Sequence, residues 1–303
     1  MNPLLITFAV YISIFLFGMT LMRTGLLYLG KERANVWIEA ATSQPWKSLL
    51  IGTAASAILQ SSSAVLIMTV ALVAAKQLRF TSAVGIVLGA NIGTTLTLEI
   101  LAFHIDVIAI PLVIIGALCL FTGKKKWMFA GTLTFGLGCM LIAMHGFESL
   151  SGAMIGFVNR VLETTNATEW QSFLVGNLFT IIIQSSSGAL AIVMTMLEQN
   201  ALLMTLALAF MLGSNVGTCA TAFLASIGAG KAAFYVALSH LAVNLLGTLL
   251  FYPLLPWFSE WTQMLSNHPA QQLAHASVIY NIVTSVVCLP LLLPLAKRIE
   301  KAL

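Results

Sequence analysis

The sequence predicts an all-α polytopic membrane protein of about seven full crossings, built from two inverted repeats that each carry a re-entrant helical hairpin and a broken helix. Three observations carry that prediction: scarce charge, recurring long apolar stretches, and a duplication whose repeated residues are polar.

Of 303 residues, 59% are hydrophobic and 8% are charged, against about a quarter charged in a soluble domain. The apolar stretches at 3–22, 106–122, 127–147, 232–255 and 271–295 each reach the roughly 17 residues that cross ~30 Å of hydrocarbon as a helix. Uncharged Met1-Asn2-Pro3 precedes the first. It lacks the positive start of a cleaved signal peptide and is expected to stay as a helix. Cys119, Cys139, Cys219 and Cys288 all fall in apolar stretches, where a thiol packs as a small hydrophobe, so no disulfide or metal framework and no cofactor is implied. The net charge of +4 reports orientation in a bilayer and gives no support to a nucleic-acid partner.

Residues 52–103 align without a gap on residues 176–227, an offset of 124. The identities are unusual ones for lipid: Gly52/Gly176, Gln60/Gln184, Ser61/Ser185, Ser62/Ser186, Ser63/Ser187, Gly89/Gly213, Asn91/Asn215, Gly93/Gly217, Thr94/Thr218 and Thr97/Thr221. The same offset carries the opening helix onto 127–146, and each is followed by a mixed polar stretch. Residues 1–123 therefore form the first repeat, with a hairpin at 48–75 and a broken helix at 80–103. Residues 124–256 form the second, with a hairpin at 172–198 and a broken helix at 201–228. Residues 257–303 hold a final transmembrane helix and a cytoplasmic C-terminus. The connector at 23–47 mixes Trp37, Ile38 and Trp46 with basic residues, which suits a helix lying among headgroups.

Each Gln-Ser-Ser-Ser core is flanked by apolar runs too short to span. The two around Ser61 have 12 residues, or ~18 Å of helix. Charge favours hairpins. With both segments re-entrant and the N-terminus outside, every Lys and Arg except Arg160 falls on the cytoplasmic side, whereas two spanning segments would carry Lys76, Arg79 and Lys124–Lys126 out. Seven crossings place three in the first unit, so the units are inverted, the arrangement of secondary transporters with broken helices meeting near the midplane.

Non-helical backbone at membrane depth has to face something polar. Each QSSS tip offers hydroxyls, an amide, and the N–H groups at the start of a half-helix, where an anion fits. The segments Gly89-Ala-Asn-Ile-Gly-Thr-Thr95 and Gly213-Ser-Asn-Val-Gly-Thr-Cys219 read as unwound breaks, whose carbonyls, Asn oxygens and Thr hydroxyls are hard neutral ligands of the kind that hold Na+. No Lys or Arg lies deep in these segments, so a bound dianion needs a mobile positive charge. Co-bound Na+ supplies it, and the two occupancies become linked.

Paired QSSS motifs in inverted repeats, each followed by G-x-N-x-G-T, resemble the type II sodium/phosphate cotransporter family over nearly the whole chain. The resemblance implies Na+-coupled movement of inorganic phosphate across the cell membrane by alternating access, with the tips as the substrate and ion region. Carried over by position, that region comprises Gln60–Ser63 and Gln184–Ser187 with Asn91, Thr94, Asn215 and Thr218 beside them; within it, our own division assigns phosphate binding to Ser61, Ser62, Ser63, Ser185, Ser186, Ser187, Thr94 and Thr218, and sodium binding to Gln60, Gln184, Asn91, Asn215 and Thr95. The large extracellular loop of animal members has no counterpart in the short stretch 122–127, and the soluble C-terminal domain of many bacterial members is not seen, so the chain reads as a bare transport core.

Plainer roles stand beside these. Serines in apolar helices also act as interhelical glue, and Gly85 and Gly89, one turn apart, suit close helix packing. Glu99 lies near a helix end beside His104 and Asp106, an interfacial position. His240 and Asn244, and Asn281 on the last helix, could line the cavity or bond between helices. The same fold could carry another oxyanion, such as sulfate or arsenate, or export phosphate, and a passive channel is a further alternative. An intramembrane serine hydrolase needs a base beside its nucleophile, and neither hairpin has one, so the sequence does not predict an enzyme.

Overall fold

A computed structural model of the chain describes residues 3–30, 44–102, 108–124, 127–146 and 168–302. Residues 31–43 of the connector expected at 23–47, and His104, Asp106, Glu148 and Arg160, lie outside the described residues; the connector's ends belong to the flanking helices.

Everything described is helix or short turn. In chain order the helices are α1 (Pro3–Gly30), α2 (Pro45–Leu59), α3 (Ser62–Ala74), α4 (Phe80–Ala102), α5 (Ala109–Phe121), α6 (Trp127–Gly146), α7 (Glu169–Ile183), α8 (Ser186–Glu198), α9 (Met204–Gly217), α10 (Cys219–Ser226), α11 (Lys231–Phe251), α12 (Leu255–Leu265) and α13 (Pro269–Ala302). Among the described residues five helical stretches are long and apolar enough to cross a membrane: α4, α6, α9 with α10, α11 with α12, and α13. The apolar parts of α1 and α5 are shorter; the 13 residues of α5 cover about 20 Å.

The two QSSS segments fold locally in the same way. Gln60 ends α2 in the left-handed region (φ 47°, ψ 38°), and Gln184 ends α7 at φ 52°, ψ 29°. The next residue then caps the following helix: Ser61 Oγ accepts from Ala64 N–H at 3.2 Å, and Ser185 Oγ from Gly188 N–H at 3.2 Å, each satisfying a donor the helix leaves open.

Glycines set how these helices pack. On α4, a Cβ at Gly85 would meet Pro45 O and Ser48, one at Gly89 would lie 1.9 Å from Leu49 O, and one at Gly93 would lie 2.2 Å from Thr53 O. Contacts thus advance down α2 and α4 together, so the two helices run parallel and α3 returns the chain between them. In the second unit a Cβ at Gly213 would lie 1.9 Å from Phe173 O and one at Gly217 2.5 Å from Asn177 O, the same pairing of α7 with α9. The packing role expected for Gly85 and Gly89 is what their surroundings show.

The unwound breaks are a correction. Helix α4 runs without interruption through Gly89–Thr95, and α9 and α10 are separated by Thr218 alone, itself helical at φ −62°, ψ −20°. Two reasons are visible. The glycines serve backbone-to-backbone contact rather than unwinding, and the threonine hydroxyls bond back to their own helices: Thr94 to Ala90 O at 2.8 Å, Thr95 to Ile92 O at 2.7 Å and Thr218 to Asn215 O at 2.7 Å.

Helix α13, 34 residues with Pro290 and Pro294 inside it, lies antiparallel to α4 along its whole length. Glu300 Oε2 accepts from Thr81 N–H at 2.8 Å, Ser285 donates to Leu88 O at 3.1 Å, and His275 Nδ1 sits 2.9 Å from Glu99 Oε1. At its start, Ala270 N–H donates to Glu198 Oε1 at 2.8 Å, so Glu198 fastens the end of α8 to α13. The final helix begins at Pro269, preceded by α12, a separate amphipathic helix exposing Trp257, Trp261 and Met264. Helices α1, α5 and α6 pack on one another through Gly18, Gly116 and Gly136.

Candidate functional site

The two units meet at a small polar cavity of about 10 Å³, room for about one water. The first unit contributes Ser62 from the start of α3, and Asn91, Thr94, Thr95 and Leu98 from α4; the second contributes Ser186, Ser187 and Leu190 from α8, with Asn215 and Thr218. Helix α13 completes the wall with Ser277 and Asn281. Among the described residues no lining residue is charged. Hydroxyls and carboxamides therefore face one another from both repeats, at the starts of two helices.

Eight of the predicted positions come together here: Ser62, Ser186, Ser187, Thr94, Thr218, Asn91, Asn215 and Thr95. Gln60, Gln184, Ser61, Ser63 and Ser185 do not line the cavity. The glutamines occupy the left-handed turns, Gln60 buried and Gln184 exposed, and Ser61 and Ser185 act as helix caps. Ser63 Oγ accepts from Thr221 Oγ1 at 3.2 Å, joining α3 to α10 across the units. Each motif is thus divided: Gln-Ser makes the turn, and the serines after it include those that reach the cavity.

Asn91 belongs to a second layer as well. His240 Nε2 lies 3.1 Å from Asn91 Oδ1, and Asn91 Nδ2 donates to Asn244 Oδ1 at 3.3 Å. An amide oxygen only accepts, so His240 carries its proton on Nε2. Asn244 in turn donates to Cys219 Sγ at 3.3 Å, and its carbonyl accepts from Tyr280 at 3.2 Å. His240 and Asn244 are fully buried and stand behind the cavity wall rather than in it, which is the interhelical alternative of their two expected roles. Asn281 does line the cavity.

Sequence reasoning missed Ser277 and the link between Glu99 and His275. Ser277 lies one turn before Asn281 on α13, and that i, i+4 polar pair in an apolar helix was a legible signal. Glu99 is only 20% exposed and its partner 30%, an interhelical pair rather than a purely interfacial acid.

The sequence profile of the Na+/Pi-cotransporter family matches residues 14–149 and 147–253. The uncharacterized protein YqeW of Bacillus subtilis is 35% identical over 290 residues, covering 95% of this chain and 94% of YqeW. YjbB of Escherichia coli K12, by its name a candidate inorganic phosphate export protein, is 27% identical over 295 residues, 94% of this chain but 53% of YjbB. Sodium-dependent phosphate transport protein 2A of Ovis aries is 30% identical over 137 residues, 42% of this chain and 21% of that protein. The chain therefore spans almost all of YqeW and about half of YjbB. No solved structure matches it.

Proposed function

The chain belongs to the Na+/Pi-cotransporter family, and from that premise we propose that it carries inorganic phosphate across the membrane in step with Na+, by alternating access. It is a multi-pass membrane protein of a transporter family, not an enzyme. One observation carries the proposal: the polar cavity is walled by the same motif residues from both repeats. Ser62, Ser186, Ser187, Thr94 and Thr218 offer hydroxyls to the phosphate oxygens; Asn91, Asn215 and Thr95 offer neutral oxygens to Na+. With no fixed cation among the described residues of the wall, a phosphate dianion is neutralised by the cations that enter with it, so each favours the other's binding.

The alternating part rests on inversion of the two units. The first hairpin has its base where Thr81 meets Glu300, at the end of α13; the second has its base where Glu198 meets Ala270, at the start of α13. Phe80 and Tyr235 contact each other edge to face, which sets Lys231 at the same end as Lys47, Lys76, Arg79, Lys297, Arg298 and Lys301. An excess of Lys and Arg marks the cytoplasmic side. That orientation puts the C-terminus inside and the N-terminus outside, with the hairpins entering from opposite faces. A cavity with room for about one water admits phosphate only when the units part, first toward one face and then the other.

The test is phosphate flux in proteoliposomes with and without a Na+ gradient, for the native chain and for Ser62→Ala and Ser186→Ala. The native chain is expected to respond to the gradient, and each variant to lose on the order of tenfold in flux, as for one lost hydrogen bond to a charged group. Flux that ignores the gradient removes the coupling; full flux in both variants removes the site. Export is a second reading, favoured by the name of YjbB, which matches 94% of this chain. Net outward movement of phosphate under an inward-directed Na+ gradient would select it.

A further inference from the structure

Behind the cavity wall a chain of hydrogen bonds starts from a group that cannot turn round, the backbone carbonyl of His240. Asn244, one turn further along α11, donates from Nδ2 to that carbonyl at 3.0 Å and to Cys219 Sγ at 3.3 Å. A carbonyl only accepts, so the nitrogen of Asn244 is fixed on that side and its Oδ1 is left to accept from Asn91 Nδ2 at 3.3 Å. The nitrogen of Asn91 is fixed in turn, and its Oδ1 faces His240 Nε2 at 3.1 Å. Either carboxamide turned the other way would set N–H against N–H or oxygen against oxygen. Asn91 lines the cavity, so the orientation of a wall group is dictated by a backbone carbonyl on α11.

Packing alone does not account for a histidine at the middle of this layer. With its proton on Nε2, His240 keeps a lone pair on Nδ1, and that nitrogen is buried with no hydrogen-bond partner among the described residues. A buried acceptor left unpaired is costly. An apolar side chain at the same fully buried position of α11 would escape that cost, so what the histidine brings is its other nitrogen, whose N–H is directed at Asn91. An amide oxygen has two lone pairs. His240 takes one of those on Asn91, and the other is open to a cation.

We propose that His240 is a positioning residue for the Na+ site: acting through Asn91, it holds that carboxamide in one orientation, so the cation meets a ligand already in place. This role rests on the reading that Asn91 gives its oxygen to Na+. A carboxamide free to turn has to be immobilised when the ion binds, which weakens binding, whereas a held one was ordered when the chain folded. The layer also strengthens the ligand, because donation from Asn91 Nδ2 to Asn244 leaves Asn91 Oδ1 more negative. The repeats then contribute unequally. Asn91 is the prepared ligand, and Asn215, whose amide nitrogen has no partner among the described residues, is the one that adjusts.

The experiment measures binding of radiolabelled Na+ to the purified full chain in detergent. His240→Leu removes the donor and is expected to raise the half-saturating Na+ concentration about tenfold, the upper range for one side chain that must be immobilised on binding. His240→Gln returns an N–H near the place of Nε2 and is expected to bind Na+ like the native chain. In an Asn91→Ala background His240→Leu is expected to add no further loss, because a residue that acts through Asn91 has nothing left to hold. An unchanged affinity in His240→Leu, a loss that His240→Gln fails to restore, or an equal further loss in the Asn91→Ala background would each overturn the role, the last by showing a general disturbance of the fold. Asn244→Leu removes the other half of the clamp and is expected to weaken Na+ binding likewise; it serves should His240→Leu fail to fold, and native affinity in it also overturns the role. Phosphate flux is read separately. Should flux ignore Na+ while Na+ binding still follows His240, the coupled-transport reading falls and the positioning role stands; no Na+ binding by the native chain overturns the positioning role itself.

Discussion

In the first unit Asn91 is held from behind by His240 and Asn244 of α11, whereas in the second its equivalent, Asn215, has a buried amide nitrogen with no hydrogen-bond partner among the described residues. Both line the same cavity. The hydroxyl links between paired helices differ too: Ser56 bonds to Thr94 at 2.8 Å, but Thr180 bonds to Ser214 at 2.7 Å, one turn earlier on its helix. The glycine contacts, the left-handed glutamines and the serine caps are repeated almost atom for atom. Duplication has therefore preserved the packing frame and let the polar connections diverge. One half presents a carboxamide held from behind, the other a carboxamide whose nitrogen finds no partner among the described residues.

The shared frame is the part to strike hardest. Gly89→Ala and Gly213→Ala each put a Cβ 1.9 Å from a backbone carbonyl, and backbone cannot rotate aside as a side chain would. Each should cost at least about 3 kcal/mol, read as loss of monodisperse protein or a large fall in thermal midpoint in detergent. Tolerance of either one alone would show that the frames are not equivalent. The divergent part should separate next. Asn91→Ala strands His240 and Asn244 in a buried layer and should cost about 1–3 kcal/mol, whereas Asn215→Ala should stay within about 0.5 kcal/mol while still lowering phosphate flux. Equal stability losses would erase the contrast. Smallest and again symmetric, Ser61→Ala and Ser185→Ala should each remove about 1 kcal/mol as lost caps, measured by the same thermal unfolding.

Helix pairs joined by a turn lie within three residues of the limits expected for the hairpins at 48–75 and 172–198, because short apolar runs around a polar core announce both the helices and the turn; their re-entrance belongs to the proposal. Several QSSS serines and the Asn and Thr residues of the second motif line one cavity, and they stand out in the sequence because polar groups in lipid are costly unless they face water or ligand. The expected unwinding was not there, since glycine in an apolar helix signals close approach as readily as a break, and only the partner helix tells which. Pairings across the chain were beyond local pattern altogether. Asn91 finds His240 at a separation of 149 residues and Glu99 finds His275 at 176, distances over which no periodicity speaks.

The glycine contacts have a mechanical corollary. Where two helices touch main chain to main chain, no side-chain layer remains between them to shear or repack, so α2 with α4, and α7 with α9, each behave as a welded plank. Any parting of the two units would then fall between the planks, among contacts such as that of Thr221 on α10 with Ser63 on α3, where hydroxyls can trade one partner for another with little loss.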